Sequence, residues 1–168
     1  MKTLVLGYVL MLCLSGILQA QVTDVQLGMT EAELQMHANP REFNDGFELV
    51  SHRPGLYIYA NKSNPFYEIQ IEFALKGGTV NTIKTVHTGR NPKFRKTLLE
   101  YYLEVIEDWK HDPLLESNPG LANSSRNSFA QYNPEVEAFT DADMLYLCVF
   151  MFYHNGEESI FTKMERKF

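Results

Sequence analysis

The chain has 168 residues and a net charge of −6, from 15 Lys and Arg against 21 Asp and Glu. That balance disfavours nucleic acid and anionic membrane surfaces as partners, since both need a positive footprint that displaces counterions, and the densest basic stretch, Lys93-Phe94-Arg95-Lys96, is short. With Cys13 inside the apolar N-terminal stretch, Cys148 is the one thiol of the remaining chain and makes no internal disulfide, so a hydrophobic core is expected to hold one ordinary domain together.

Residues 1–20, MKTLVLGYVLMLCLSGILQA, carry one cation at Lys2, an apolar run from Leu4 to Leu14, then Ser15, Gly16 and Ala20. This is the three-part order of a secretory signal, with cleavage expected between Ala20 and Gln21 and a secreted or periplasmic location for the product. A retained anchor is the alternative, but a spanning helix needs about 20 mostly apolar residues, and the stretch reaches that only by including Ser15, Gly16 and Gln19. Cys13 follows Leu12 inside the apolar run, where the small residue that precedes a lipidated cysteine is missing. Cleavage removes Lys2 and Cys13, leaving 148 residues with a charge near −7, one thiol and no transmembrane segment.

The remainder, 21–168, reads as one domain. Thr30 followed by Glu33 forms a capping box, so a short helix is expected over about Thr30–Ala38, stopped by Asn39-Pro40. Four strands follow, FELVSH, LYIYA, YEIQIEFAL and TVNTIKTVH, separated by Arg53-Pro54-Gly55, by the Asn61–Pro65 cluster and by Lys76-Gly77-Gly78. In the third, Tyr67, Ile69, Ile71, Phe73 and Leu75 alternate with Glu68, Gln70 and Glu72, so one face meets a core and the other water. Its register with the fourth strand stays open, because the glycine turn fits two or three residues and a one-residue slip flips every side chain.

Asn91-Pro92 opens a long helix as cap and first residue. Its apolar stripe is Phe94, Leu98, Tyr102, Val105 and Trp109, joined by Tyr101 and Ile106, and Asp112-Pro113 ends it. Residues 114–143, rich in Asn, Ser, Pro and Gly, read as a long irregular loop, either mobile or a binding element. A closing hairpin pairs MLYLCVFMFY, apolar on both faces and hence central, with ESIFTKMERK, which alternates and reads as an edge, across Asn155-Gly156. The expected fold is α+β: a mostly antiparallel sheet of about six strands, with a short N-terminal helix and one long helix packed on one face.

Catalytic patterns are sparse. None of the five histidines falls at metal-ligand spacing with another, so neither metal nor other cofactor is expected. His111 at a helix end suits the negative pole of the dipole. Glu68 and Glu72 lie about 13 Å apart along a strand, beyond either glycosidase geometry, and read as a wet sheet face. Glu100, Glu104, Glu107 and Asp108 read as a wet helix face, Asn44-Asp45-Gly46 as a turn, and Cys148 as a buried, inert thiol. Asn61-Lys62-Ser63 and Asn123-Ser124-Ser125 match glycosylation acceptors, which matter only in a eukaryotic secretory pathway.

Aromatic residues are in excess, at 12 %. Tyr57 and Tyr59 share one face of a strand and, with Tyr132, are the candidate binding residues, since exposed rings form a platform for a sugar or a partner's apolar patch; the more ordinary reading is that these rings fill the core of a Leu-poor domain.

Residues 25–40, VQLGMTEAELQMHANP, resemble the opening of BamE/SmpA-like envelope lipoproteins and the related β-lactamase-inhibitor-like modules, through Gly28, Met29, Thr30, Glu31, Glu33, Leu34 and Pro40. Asn39 stands where that pattern has glycine. The resemblance implies an adaptor that binds other proteins through its sheet and loops, and it carries over no catalytic residue. The lack of a catalytic constellation beside the long 114–143 loop makes the expected function a non-enzymatic interaction module for another extracytoplasmic protein, docking on the sheet face around Tyr57 and Tyr59 and on the 114–143 segment. The alternative is a small-molecule or carbohydrate binder, or a hydrolase, with Glu68, Glu72 and His87 in a cleft between the long helix and the sheet.

Overall fold

A computed structural model describes residues 25–37, 47–61, 67–89, 92–153 and 156–167. The expected signal at 1–20, the Asn39-Pro40 stop, the Asn44-Asp45-Gly46 turn, the Asn91 cap and Asn155 lie outside the described residues.

The first helix, α1, spans Glu31–His37. Its capping box is formed: Thr30 N–H donates to Glu33 Oε2 at 2.7 Å, and Glu33 N–H donates to Thr30 Oγ1 at 3.3 Å. Thr30→Ala is expected to cost about 1 kcal/mol, read as a drop of a few degrees in melting temperature, because it strips the acceptor from an orphan amide. The segment ahead of the helix is fixed to the fourth strand, with Gly28 N–H donating to Val80 O at 2.8 Å and Val80 N–H to Met29 O at 2.7 Å. Gly28 sits at φ +96°, a backbone conformation that favours glycine, and a Cβ there would lie 2.9 Å from the mobile end of the Arg166 side chain.

Four antiparallel strands follow in order: β1 (Phe47–Arg53), β2 (Leu56–Asn61), β3 (Tyr67–Lys76) and β4 (Thr79–Gly89). Gly77-Gly78 closes the β3–β4 turn as two residues, with Lys76 opposite Thr79. A bulge at Ala74/Leu75 absorbs the odd residue, and Glu68 therefore faces Thr88 rather than His87.

Helix α2 spans Pro92–His111. Leu98, Tyr102 and Ile106 are buried beneath it as expected, and Lys96 and Glu100 pair at 3.5 Å on its wet side. His111 Nδ1 lies 2.8 Å from Glu107 O at the helix end.

The 114–143 segment is not an irregular loop. It contains β5 (Glu116–Ser117), helix α3 (Pro119–Ser128), a 3-10 turn (Ala130–Tyr132) and β6 (Glu135–Thr140). Asn, Ser and Gly are poor helix formers, so α3 depends on its ends and its contacts. Asn118 Oδ1 accepts from Leu121 N–H at 3.0 Å, Pro119 occupies the first turn, and Asn118 N–H donates to Ala138 O at 2.8 Å, which fastens the helix start to β6. The small buried residues Ala122 and Ser125 allow close approach to the sheet.

Strands β7 (Met144–Phe152) and β8 (Glu158–Arg166) form the closing hairpin. Among the described residues the sheet has eight strands, not six, in the order β1-β2-β3-β4-β8-β7-β6-β5. β8 is interior, paired with both β4 and β7, so its reading as an edge is corrected; it joins the two meanders. β7 is central as expected. On the front face, α1 covers a core with Leu34, Ile71 and Phe73, and α2 covers one with Cys148, Phe150 and Ile160. α3 covers Val136, Val149 and Phe161 on the back face, so the helices do not share one side of the sheet.

Candidate functional site

Tyr57 and Tyr59 are 3 % and 4 % exposed, and both belong to the front-face core. The open aromatic platform expected of them is therefore not formed. Tyr57 OH donates to Glu31 Oε1 at 2.6 Å and accepts from Gln35 Nε2 at 2.7 Å, while its ring stacks on His52 at 4.4 Å. Tyr59 meets Phe73 edge-on at 6.0 Å, and burial raises its pKa. Tyr132 packs against Tyr153 at 4.8 Å in the cluster under α3, on the other face of the sheet from Tyr57 and Tyr59. The three rings are not brought together.

The carboxylates and histidine of the expected cleft are separated by the sheet itself. His87 stands opposite Ile69 and Ile160 on the front face, whereas Glu68 and Glu72 alternate with Ile69 and Ile71 and so point to the back. Glu72 pairs with Lys84 at 3.0 Å, and Glu68 accepts from Gln70 Nε2 at 2.7 Å, which makes this the wet sheet face that the alternation predicts. His87 is buried against the Tyr101 ring at 5.3 Å, and among the described residues its Nε2 has no hydrogen-bond partner. Burial without a counter-charge lowers its pKa to about 4, and burial raises that of Tyr101 to about 12. Cys148 is fully buried and its pKa is raised by the same cause, so it is held as a thiol. Among the described residues no group of three or more His, Cys, Asp or Glu is placed to hold a metal, and no helix is long and apolar enough to cross a membrane. Of the two acceptor asparagines, Asn61 ends β2 and Asn123 is exposed on α3.

A different surface is built by α2. Leu99 and Leu103, one turn apart, are 39 % and 55 % exposed. At 3.6 residues per turn they fall on the side of the buried stripe opposite Tyr101. Tyr101 leans toward β4 through His87, and Trp109 meets Phe139 of β6 at 5.8 Å. The two leucines therefore lie along the flank of α2 that overlooks β6. Glu135 and Glu137 border that flank: they stand opposite Phe150 and Cys148 on the front face, and their charges, after burial and Cys148, raise the pKa of Tyr102. Exposed Glu107, one turn beyond Leu103, continues the acidic margin along the helix. Sequence reasoning missed this strip, although the signal was present: in Leu98-Leu99-Glu100-Tyr101-Tyr102-Leu103, the one-stripe reading leaves Leu99 and Leu103 without a place.

No family model, curated protein or solved structure matches the chain.

Proposed function

We propose that this protein is an exported, non-enzymatic interaction module that docks another extracytoplasmic protein along the β6-side flank of α2. The observation that carries the proposal is the exposed Leu99–Leu103 pair on the flank of α2 turned away from Tyr101 and β4, the side of the sheet on which β6 carries Glu135 and Glu137. Two leucines held one turn apart on a long, well-packed helix form a rigid apolar anchor, and a rim of carboxylates selects a partner segment whose apolar side chains are flanked by Lys or Arg. The chain's net charge of −6 favours the same partner chemistry during encounter. The export pattern of residues 1–20, and the resemblance of residues 25–40 to envelope adaptors, support the same role. The cleft needed by the hydrolase alternative is not assembled, because Glu68 and Glu72 lie across the sheet from His87.

Site-specific photo-crosslinking in the native host tests the proposal. A photoreactive residue replacing Leu103 is expected to give one discrete heterologous product, while the same residue replacing Glu72 on the opposite face gives none. Equal labelling from both positions, or none from Leu103, would refute it.

A further inference from the structure

The two edges of the sheet are treated differently. At the β6 edge, the outward carbonyls are occupied: Ala138 O accepts from Asn118 N–H at 2.8 Å, Val136 O from Arg126 Nη2 at 3.1 Å, and β5 covers Phe139 and Thr140. At the other edge lies β1, FELVSHR, whose Glu48, Leu49, Ser51, His52 and Arg53 pair with β2 alone among the described residues. It contains neither proline nor lysine, the residues that most often blunt such an edge. Leu49 and Val50, at its middle, are 45 % and 47 % exposed.

The side chains of β1 are complementary to themselves. The register of β1 on β2 shifts between Leu49 and Ser51. Without that bulge Glu48 and Arg53, five positions apart, would point to opposite faces. With it, Glu48 stands opposite Ala60 and Arg53 opposite Leu56, which places both on the back face. A bulge at an edge ordinarily discourages pairing by twisting the strand. Here it creates a symmetric match, because an antiparallel copy placed about a dyad between Val50 and Ser51 sets Glu48 opposite Arg53 on the back and Leu49 opposite His52 on the front. Neither Glu48 nor Arg53 is in an ion pair among the described residues.

We propose that two copies of this chain associate through antiparallel β1–β1 pairing about that dyad, joining two eight-stranded sheets into one and forming two Glu48–Arg53 ion pairs. The interface is isologous, so each contact occurs twice and the assembly closes at two subunits.

Sedimentation equilibrium of the purified protein over a range of concentrations tests this. A monomer–dimer equilibrium that weakens as salt rises is expected. Glu48→Arg and Arg53→Glu each place two like-charged pairs at the dyad and are expected to raise the dissociation constant roughly tenfold or more. An equimolar mixture of the two variants is expected to form a heterodimer of wild-type strength, since each introduced charge then meets its complement, and the double variant E48R/R53E is expected to recover the homodimer. Both positions are exposed, so the melting curves of the monomers should coincide. A monomer at every concentration would overturn the proposal, as would a dimer indifferent to these reversals or a mixture that fails to recover affinity.

Discussion

Tyr59→Ala is expected to destabilise the protein by about 3–5 kcal/mol, a melting shift of roughly 10 °C, because it opens a ring-sized cavity in a closed core. The ring is 4 % exposed, meets Phe73 edge-on at 6.0 Å, and lies in the cluster that also holds Leu34, Ile71 and Val80 under α1. Neighbours on β2 and β3 are held by their own ladder hydrogen bonds and cannot collapse fully into the space, so the contacts of Phe73 are lost rather than replaced. Differential scanning calorimetry of the variant checks the value. A shift of only a degree or two would return Tyr59 to the class of exposed binding rings.

His87 contributes to the loss of stability on the acid side. Its folded-state pKa of about 4 lies below the ordinary 6.5 because burial disfavours the charged ring. Above pH 6.5 the ring is neutral in both the folded and unfolded chains, and its burial is tolerated in full. Between pH 6.5 and 4 the unfolded chain takes up the proton first, so stability falls with pH; below 4 both states are protonated and the loss is complete. At about 1.36 kcal/mol per unit of pKa, the total is roughly 3 kcal/mol. Denaturant titrations of the wild type and His87→Leu across this range isolate the effect, because the titrating carboxylates are common to both. The wild type is expected to lose roughly 3 kcal/mol more than the variant on going from pH 7 to pH 4. Parallel curves would mean that the imidazole finds a compensating partner when charged.

Local patterns located most of the elements. The alternation of Ile69, Ile71 and Phe73 with Glu68, Gln70 and Glu72 fixed the two faces of β3, Thr30 with Glu33 marked the start of α1, and the spacing of Leu98, Tyr102 and Ile106 marked the buried side of α2. Three features were missed, in part because they depend on contacts distant in sequence. α3 is rich in Asn, Ser and Gly, and it is held by Asn118 on Ala138 and Arg126 on Val136. Its Asn118-Pro119 start repeats the Asn91-Pro92 signal and was open to the same argument. β6 carries a short alternation, Val136 and Ala138 buried between Glu135 and Glu137, that a composition-led reading of the segment passes over. β8 alternates as an edge strand does, yet it is interior, because its pairing with β4 joins residues more than seventy positions apart, as in Thr88 with Ser159.

The candidate site divides in the same way. That Tyr57 and Tyr59 share a face follows from the period of a strand, but whether that face is open follows from where α1 lies, and Leu34 places α1 over it. Likewise Glu68 and His87 both belong to well-predicted strands, and only the register shows that they point to opposite faces. Leu99 and Leu103 stand out only once the buried side of α2 is known.

Introducing charge on the α2 flank tests the interaction role most directly. The double variant Leu99→Glu, Leu103→Glu adds two carboxylates to an exposed surface and is expected to change stability by less than about 1 kcal/mol. In the native host, with the photoreactive residue moved to the neighbouring Glu107, the heterologous crosslinked product of the otherwise wild-type chain should disappear in this variant while its melting temperature is retained. A variant that melts normally and still gives the same product would contradict the account.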